Sequence, residues 1–217
     1  MSPPRSSRLR LVRLLLALLG IVSLVAVVTP LRTRMLQAIG GVLIVNDPIE
    51  AVDVAVMVAS ESGEAGELEI IDLYHDRVMP RVVVLTPVAT PRDRELVRRG
   101  VNRENLAVRT LVELGIPAAA ISTLEAGEGG TTESTDALAA WVVSHPSRVL
   151  VIVDPTHTRR YRRTLLRRWP PRVPVPRIRY PRSDPFRAED WWTSRRTLRS
   201  GVFELEKLAW DYLWHPW

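Results

Sequence analysis

The sequence of 217 residues contains no cysteine, which excludes a disulfide framework and any metal site built from thiolates. Lysine is nearly absent as well, because Lys207 is the one lysine among 30 basic residues. A GC-rich genome explains this bias as well as a demand for guanidinium chemistry does, so the arginine content carries little weight. The four histidines are scattered, and no pair of them has the spacing of metal ligands. We therefore predict no metal site.

Two motifs of common enzyme classes are also missing. The glycine-rich fingerprint of dinucleotide-binding proteins does not occur, and neither does the Gly-x-Ser-x-Gly elbow of one large class of serine hydrolases. The sequence thus leaves the cofactor unknown, and it sets aside serine hydrolase chemistry of that type.

One long hydrophobic run is present near the N-terminus, and it contains no charged side chain from Leu14 to Leu31. About 18 residues rise roughly 27 Å as a helix, which nearly spans a hydrocarbon core of about 30 Å. A cleaved signal peptide and a buried helix are the alternatives, but no Ala-x-Ala site lies near the end of the run. We therefore predict an uncleaved transmembrane helix at 14–31, with the lipid bilayer as its partner.

Basic residues flank this predicted helix unequally. Four arginines lie in the preceding tail, 1–13, whereas only Arg32 and Arg34 follow the helix closely. The positive-inside rule then predicts a cytoplasmic N-terminus and a folded domain on the outer face of a bacterial inner membrane. Nucleic acid is a poor partner for a domain on that side, despite the net charge of +6.

After a predicted juxtamembrane linker at 32–50, valine-rich runs alternate with segments whose apolar residues have helical spacing. The runs are too short for typical helices and suit strands that are buried on both faces. This alternation predicts βαβ units, and hence a three-layer, Rossmann-like α/β domain at 51–217 with a mostly parallel sheet. The predicted strands are 52–59, 81–86, 118–124 and 148–153, and the predicted helices are 35–45, 68–78, 106–114, 135–143 and 158–169.

The C-terminal part differs in composition, since six prolines fall between 170 and 185. Proline lacks the N–H that a central strand needs, so we predict an edge strand at 173–180. A last helix is predicted at 188–212, where the alternatives are a helix packed on the sheet and an interfacial belt of tryptophans at the membrane. The predicted packing residues are Trp191, Trp192, Leu198, Phe203, Leu208 and Tyr212.

Two polar segments stand where a predicted strand ends and a helix should begin. In an open α/β sheet, ligands bind outside the carboxyl ends of the strands, so these two junctions predict a site. The segments are Glu125-Ala-Gly-Glu-Gly-Gly-Thr131-Thr132-Glu133-Ser134 and Asp154-Pro-Thr156-His157-Thr158-Arg159-Arg160.

The first segment offers groups that suit an anion. Thr131, Thr132 and Ser134 carry hydroxyls at the start of a helix, where free N–H groups and the helix dipole also favour negative charge. Capping of the helix by Thr131 or Thr132 is the simpler alternative. Glu133 suits the same dipole, and Glu125 lies at the end of the preceding strand. We count Glu125, Thr131, Thr132 and Ser134 as candidate ligand-binding residues, and Glu133 as a candidate catalytic residue.

The second segment carries the strongest catalytic candidate, His157, because imidazole can act as both acid and base near neutral pH. A polar residue that only fills the start of a helix is the alternative. Arg160 lies three residues further on, so both side chains share one helix face, and its guanidinium could hold a phosphate or a carboxylate. A salt bridge from Arg160 to Glu125 or Glu133 is the competing interpretation.

The order of these segments resembles that of a bacterial family of domains of unknown function typified by SanA, ElyC and YdcF, over residues 52–213. The resemblance implies a single-pass inner-membrane protein whose outward domain is linked to envelope integrity. It rests on an ordered set of motifs: Glu125, Thr131-x-Glu133, His157-x-x-Arg160, Trp191-Trp192 and Glu204-x-x-Lys207.

The sequence also departs from the family pattern in ways that affect the expected site. The glycine-rich turn after the first strand has a single glycine, Gly63, and Pro87 stands in the place of a glycine after the second strand. Proline removes an N–H donor, so backbone binding of phosphate is less free there. Ser134 and Thr156 replace the usual asparagine and aromatic residue. These differences indicate a divergent member.

These observations leave three functional hypotheses, and the sequence leaves open whether the protein is an enzyme. The first is an envelope protein that binds a small anionic or phosphate-bearing ligand and supports envelope biogenesis or barrier integrity. The second is a hydrolase or transferase acting on a lipid-linked envelope precursor, with His157 as acid or base, Glu133 orienting it and Arg160 holding phosphate. The third is a structural partner of other envelope proteins.

Overall fold

A computed structural model describes residues 18–19, 28–101, 105–127 and 130–215, excluding the side chains of residues 60 and 61. The strands are β1 (Val54–Val58), β2 (Val82–Pro87), β3 (Ile121–Ala126), β4 (Val149–Ile152) and β5 (Arg177–Arg179). The helices are α1 (residues 28–43), α2 (Ala59–His75), α3 (Pro91–Arg98), α4 (Leu106–Glu113), α5 (Thr131–Ser144), α6 (Thr158–Arg168) and α7 (Arg195–Trp214). A 3₁₀ turn, Ala118–Ala120, precedes β3.

The five strands form one parallel sheet in the order β3-β2-β1-β4-β5. Val56 of β1 lies at the centre of this sheet, opposite Val83 on one side and Val151 on the other. The chain winds outward in both directions from β1, so the topological switch point lies between β1 and β4. The predicted α/β fold with a Rossmann-like parallel sheet is therefore confirmed.

Both faces of the sheet are covered by helices, as the valine-rich runs indicate. Ala55 and Met57 of β1 belong to a core shared with α2 and α4. Val54 and Val56 point to the other face and belong to a core shared with α5 and α6. Every residue of β1 is buried, because a strand between two helical layers has no face left for water.

The strand predictions hold along the whole sheet. The segments 52–59, 81–86, 118–124 and 148–153 overlap β1 to β4, and the predicted edge strand 173–180 contains β5, which lies at the edge. The helix α3, which begins at Pro91, was not predicted. Thr90 and Asp93 form a capping box there, but no residue of this helix is buried, so it leaves no apolar periodicity to detect.

The last helix begins later than predicted. Ser194 caps α7 by accepting a hydrogen bond from the Thr197 N–H, and the preceding residues 188–194 form turns. Of the predicted packing residues, Trp191 and Leu208 are buried and Trp192 is half-buried. The packing prediction is wrong for three others, because Leu198, Phe203 and Tyr212 are 40%, 48% and 44% exposed.

Trp191 joins α1 to α7. Its indole Nε1 donates a hydrogen bond to the Leu36 carbonyl at 2.8 Å. Its ring lies between two glycines, one on each helix: a Cβ at Gly40 or at Gly201 would lie 2.6 Å from a ring carbon. The two helices therefore contact a single aromatic ring that larger residues at these positions would displace.

Residues beyond α1 are bound to the sheet and to α6. The Val45 N–H donates to Thr158 Oγ1 at 2.7 Å, at the start of α6. Asp47 pairs with the edge strand β5, since its N–H donates to the Ile178 carbonyl at 2.9 Å and its carboxylate accepts from the Ile178 N–H at 2.8 Å. Arg162 of α6 binds the same carboxylate at 2.9 Å. The segment predicted as a linker, 32–50, is thus part of the folded structure over much of its length.

The N-terminal predictions fall mainly on residues that the structure leaves undescribed. The tail 1–13 and most of the predicted span 14–31 lie outside the described residues. Within the described ranges, no helix is both long enough and apolar enough to cross a lipid bilayer.

Candidate functional site

The two polar segments meet at the carboxyl edge of the sheet. His157 immediately precedes α6 and is only 5% exposed, and Arg160 follows within the first turn. Thr131 is the first residue of α5, because the N-cap position belongs to Gly130 and no side chain caps this helix. The capping alternative for Thr131 and Thr132 is therefore wrong, and the Thr131 hydroxyl is available to other groups.

His157 lies between a hydroxyl and a carboxylate. Its Nε2 atom is 3.1 Å from Thr131 Oγ1, and its Nδ1 atom is 3.0 Å from Glu204 Oε2. Glu204 comes from α7, so three helices contribute to this hydroxyl–imidazole–carboxylate chain. An arrangement of this type fixes the imidazole ring, and it lets the ring accept and return a proton at the nitrogen that faces the hydroxyl.

Arg160 contacts all three members of this chain. Its Nε and Nη2 donate to the two carboxylate oxygens of Glu204 at 3.0 and 3.3 Å, and its Nη1 donates to Thr131 Oγ1 at 2.9 Å. Its Nη2 also lies 2.7 Å from His157 Nδ1. The carboxylate partner of Arg160 is therefore Glu204, and the competing interpretation of a salt bridge to Glu125 or Glu133 is wrong.

The contacts of His157 Nδ1 permit two proton arrangements. Guanidinium nitrogens only donate, so an unprotonated Nδ1 accepts from Arg160, and Nε2 then donates to Thr131. A protonated Nδ1 donates to Glu204 instead, and Nε2 then accepts from the Thr131 hydroxyl. The two forms differ in which ring nitrogen carries the proton and in where the Thr131 hydroxyl proton points. The direction of the Thr131 hydrogen bond thus depends on the tautomer of His157.

Glu204 is the ionised centre of this network, although its side chain is only 10% exposed. Burial alone would raise its pKa, but hydrogen bonds and charge from His157, Arg160 and Lys207 outweigh burial and hold the pKa far below its ordinary value. The Lys207 ammonium lies 2.6 Å from Glu204 Oε1 and is itself 57% exposed. The carboxylate is therefore charged at neutral pH, next to an imidazole.

Glu204 was not predicted as a site residue. It lies on the last helix, 47 residues from His157, and nothing in local spacing connects the two. The one signal in the sequence was the motif Glu204-x-x-Lys207, which carried part of the family resemblance. The carboxylate that contacts His157 in this structure is Glu204, whereas Glu133 is exposed.

A pocket of about 300 Å³ opens next to this network. Its wall combines the charged groups of the site with one aromatic ring from α7, Phe203. The lining residues are Asp154, Thr156, His157, Arg160, Ser200, Phe203, Glu204 and Lys207. His157 and Arg160 are therefore within reach of a small molecule that enters the pocket.

Asp154 links this pocket to the switch point of the sheet. Asp154 also lines another cavity, of about 480 Å³, at the switch point, whose lining includes Gly63 after β1. Burial raises the pKa of Asp154 above its ordinary value, and the nearby Asp184 carboxylate adds to this effect, while hydrogen bonds from Thr156 oppose it. A carboxyl group that gains a proton easily thus stands beside the pocket.

The other predicted site residues lie apart from this network. Glu125, Thr132 and Glu133 are exposed. Ser134 is buried, and its hydroxyl donates to the Thr131 carbonyl of its own helix at 3.0 Å. Of the seven predicted residues, the structure thus brings together Thr131, His157 and Arg160, and it adds Glu204 and Lys207 from α7.

Over the ranges that the structure covers, no group of three or more His, Asp or Glu side chains has a geometry that could hold a metal ion. The chemical groups present at the site are an imidazole, an ionised carboxylate, a hydroxyl, a guanidinium and an ammonium. Together they can transfer protons and bind an anion.

The fold and the site define a class: a Rossmann-like α/β protein with a hydroxyl–imidazole–carboxylate chain at the carboxyl edge of its sheet. Comparison with known proteins assigns the chain to no family, since no protein-family model matches the sequence and no curated protein matches it. Any assignment of function therefore rests on the sequence pattern and on the geometry of the site.

Proposed function

We propose that the domain is a hydrolase or transferase that acts on a small substrate with an anionic or phosphate group. The observation that carries this proposal is the chain from Thr131 through His157 to Glu204, beside a pocket that His157 lines. A structural polar cluster needs hydrogen bonds alone. An imidazole oriented by an ionised carboxylate and facing a pocket is also what general acid–base catalysis requires.

His157 acts as the general base in this proposal. A water molecule or a substrate hydroxyl in the pocket takes the place of Thr131 at Nε2 and gives up its proton there. Glu204 stabilises the positive charge that the imidazole gains, and it holds Nδ1 protonated. Removal of such a base typically lowers a rate by about 10² to 10⁴-fold.

The substrate anion binds near Lys207 in this proposal. Lys207 is 57% exposed and lines the pocket, so its ammonium can turn from Glu204 to an incoming phosphate. Arg160 is held by Glu204 and Thr131, and it therefore contributes fixed positive charge more than a free donor group. This division gives the site one mobile and one fixed cation.

We extend the proposal to the location of the protein. The uncharged run at 14–31 supports a single-pass anchor in the bacterial inner membrane, with a cytoplasmic N-terminus and an outward domain that serves envelope biogenesis or barrier integrity. Divergent membership of the SanA, ElyC and YdcF family is supported by the meeting of two of its motifs, His157-x-x-Arg160 and Glu204-x-x-Lys207, in one network. A reporter fused to the C-terminus tests the orientation, since an enzyme active only outside the cytoplasm will work there.

A second candidate function is ligand binding without catalysis, as the first hypothesis above has it. The observation that favours it is that both nitrogens of His157 already have partners within the protein, as does Arg160. A network of this kind can serve as a rigid wall for an anion site and never transfer a proton.

The experiment uses the purified full chain with two chromogenic probes, p-nitrophenyl phosphate and bis-p-nitrophenyl phosphate. We expect turnover by the wild type and a rate that is about 10² to 10⁴-fold lower in His157→Ala. The control variant His75→Ala, which changes an exposed histidine on α2, should keep the rate of the wild type. Thermal shift with inorganic phosphate is measured on the same samples. Binding without turnover in the wild type, lost in Lys207→Ala, would support the second candidate. If the wild type shows no turnover and no binding of phosphate, the hypothesis of a structural partner is the one that remains.

A further inference from the structure

A second pocket lies beside the first along α7, with a volume of about 420 Å³. The two pockets share Arg160, Phe203 and Lys207 in their walls. The second pocket is mainly apolar, and Phe203 and Trp210 supply its aromatic surface. A polar pocket with cations and an apolar pocket with aromatic rings therefore meet at one boundary.

The aromatic surface of the second pocket is unusually open. Phe203 is 48% exposed and Trp210 is 63% exposed, whereas Trp191 near the other end of α7 is 3% exposed. Trp214, one turn beyond Trp210, is also 63% exposed, and the two indole rings meet edge to face at 5.2 Å. Residues spaced by seven and four positions lie on one helix face. One side of α7 is thus an apolar aromatic strip that the described chain does not cover.

The charges around the second pocket are arranged asymmetrically. At the boundary with the first pocket stand the cations Arg160 and Lys207. The remaining polar lining residues are Glu206, Asp211 and His215, and Asp211 is paired with Arg163 at 2.8 Å and Arg167 at 2.6 Å. Two cations therefore stand where the polar and apolar pockets meet, with the Glu204 carboxylate between them.

We propose that the substrate is an amphiphile whose phosphate binds next to Lys207 and Arg160, while its hydrocarbon chain lies over Phe203 and Trp210. This inference rests on the proposed function, because it assigns a substrate class to the same site. The two pockets together indicate this type of molecule. The first pocket offers cations and a neighbouring imidazole to a phosphate head, and the second offers an apolar groove to a hydrocarbon tail that begins where the head ends.

The test measures how affinity depends on chain length. The full chain in zwitterionic nanodiscs is titrated by calorimetry with methyl, butyl, hexyl and octyl phosphate, and titrations of empty nanodiscs are subtracted. Each buried CH₂ strengthens binding by up to about 4-fold. We expect affinity to rise roughly 2- to 4-fold per CH₂ from butyl to octyl phosphate, and octyl trimethylammonium to bind more weakly than octyl phosphate.

Three variants separate the head site from the tail groove. Phe203→Ala with Trp210→Ala should flatten the dependence of affinity on chain length. Lys207→Ala should weaken all four phosphates by a similar factor. Leu213→Ala is the matched control, because Leu213 is 74% exposed on the same helix and does not line the pocket. This control should behave as the wild type does.

The outcomes also distinguish this inference from the proposed function. Equal affinity for methyl and octyl phosphate, together with turnover that requires His157, overturns the proposal of an amphiphilic substrate and leaves the proposed hydrolase or transferase function in place. A chain-length effect that persists in the Phe203→Ala, Trp210→Ala double variant overturns the groove as the binding place. Absence of binding for all four phosphates, with no turnover of the chromogenic probes, overturns both proposals together.

Discussion

Replacement of Glu204 by alanine tests whether the site network is held by its one buried carboxylate. The variant removes the partner of His157 Nδ1 and of the Arg160 guanidinium, whose side chain is only 16% exposed. Removal of one partner from a buried ion pair leaves the other charge uncompensated, which typically costs about 3 to 5 kcal/mol. The contact with Lys207 adds little, because a side chain that is 57% exposed is well screened by solvent.

We therefore expect Glu204→Ala to lower the free energy of unfolding by about 3 kcal/mol, at the low end because Arg160 keeps its bond to Thr131. For a protein of this size the corresponding fall in Tm is roughly 6 to 12 °C. Urea denaturation of the full chain, followed by circular dichroism, measures the free energy directly. Glu204→Gln keeps an acceptor for Arg160 and should lose less than half as much.

The pH dependence of this difference has a defined sign. The pKa of Glu204 is lower in the folded protein than its ordinary value of 4.5, so its stabilising effect is complete above that pH. The effect is lost as the pH falls from about 4.5 towards the folded pKa, and the gap between wild type and Glu204→Ala should narrow there. A loss below 1 kcal/mol at pH 7, or one equal to that of Glu206→Ala, an exposed acid on the same helix, would refute the reasoning.

Three further predictions concern other parts of the structure. Gly201→Ala should cost about 1 to 3 kcal/mol, because its Cβ would lie 2.6 Å from the Trp191 ring, whereas Gly41→Ala meets no atom within 4 Å and should gain about 0.5 kcal/mol; thermal melts compare them. Asp154→Asn should raise stability at pH 7 by roughly 1 kcal/mol, and since the folded pKa of Asp154 is raised, this gain should vanish below about pH 3.8. Thr90→Ala removes the capping box of α3, so faster hydrogen exchange of that helix is expected with no change in global Tm, as none of its residues is buried.

The sheet was predictable because its signal is local. A strand buried on both faces must be a short apolar run, and β1, β2 and β4 have that pattern in the sequence itself. The meeting of Thr131 with His157 was also predictable, since the carboxyl ends of parallel strands share one edge. In contrast, α3 has no apolar face, and no local rule could reveal it.

The carboxylate of the site was beyond local inference for a different reason. Glu204 reaches His157 only because α7 packs on α6, and that packing depends on tertiary contacts such as the one between Arg163 and Asp211 at 2.8 Å. Glu133 had the better position in the sequence, two residues from Thr131, but its side chain at the start of α5 is exposed to solvent. Proximity in the sequence therefore favoured Glu133, whereas the acid that contacts His157 is Glu204.

The attachment of α1 has a mechanical consequence. At about 1.5 Å per residue, the described part of α1, residues 28–43, extends over roughly 24 Å, and the segment after it is hydrogen-bonded to Thr158 and Arg162 of α6, the helix that carries Arg160. If the chain is anchored as proposed, this attachment fixes the position of the pocket relative to the described part of α1. A substrate that starts in the bilayer would have to reach the pocket at that position, and a force applied to α1 would be transmitted to α6.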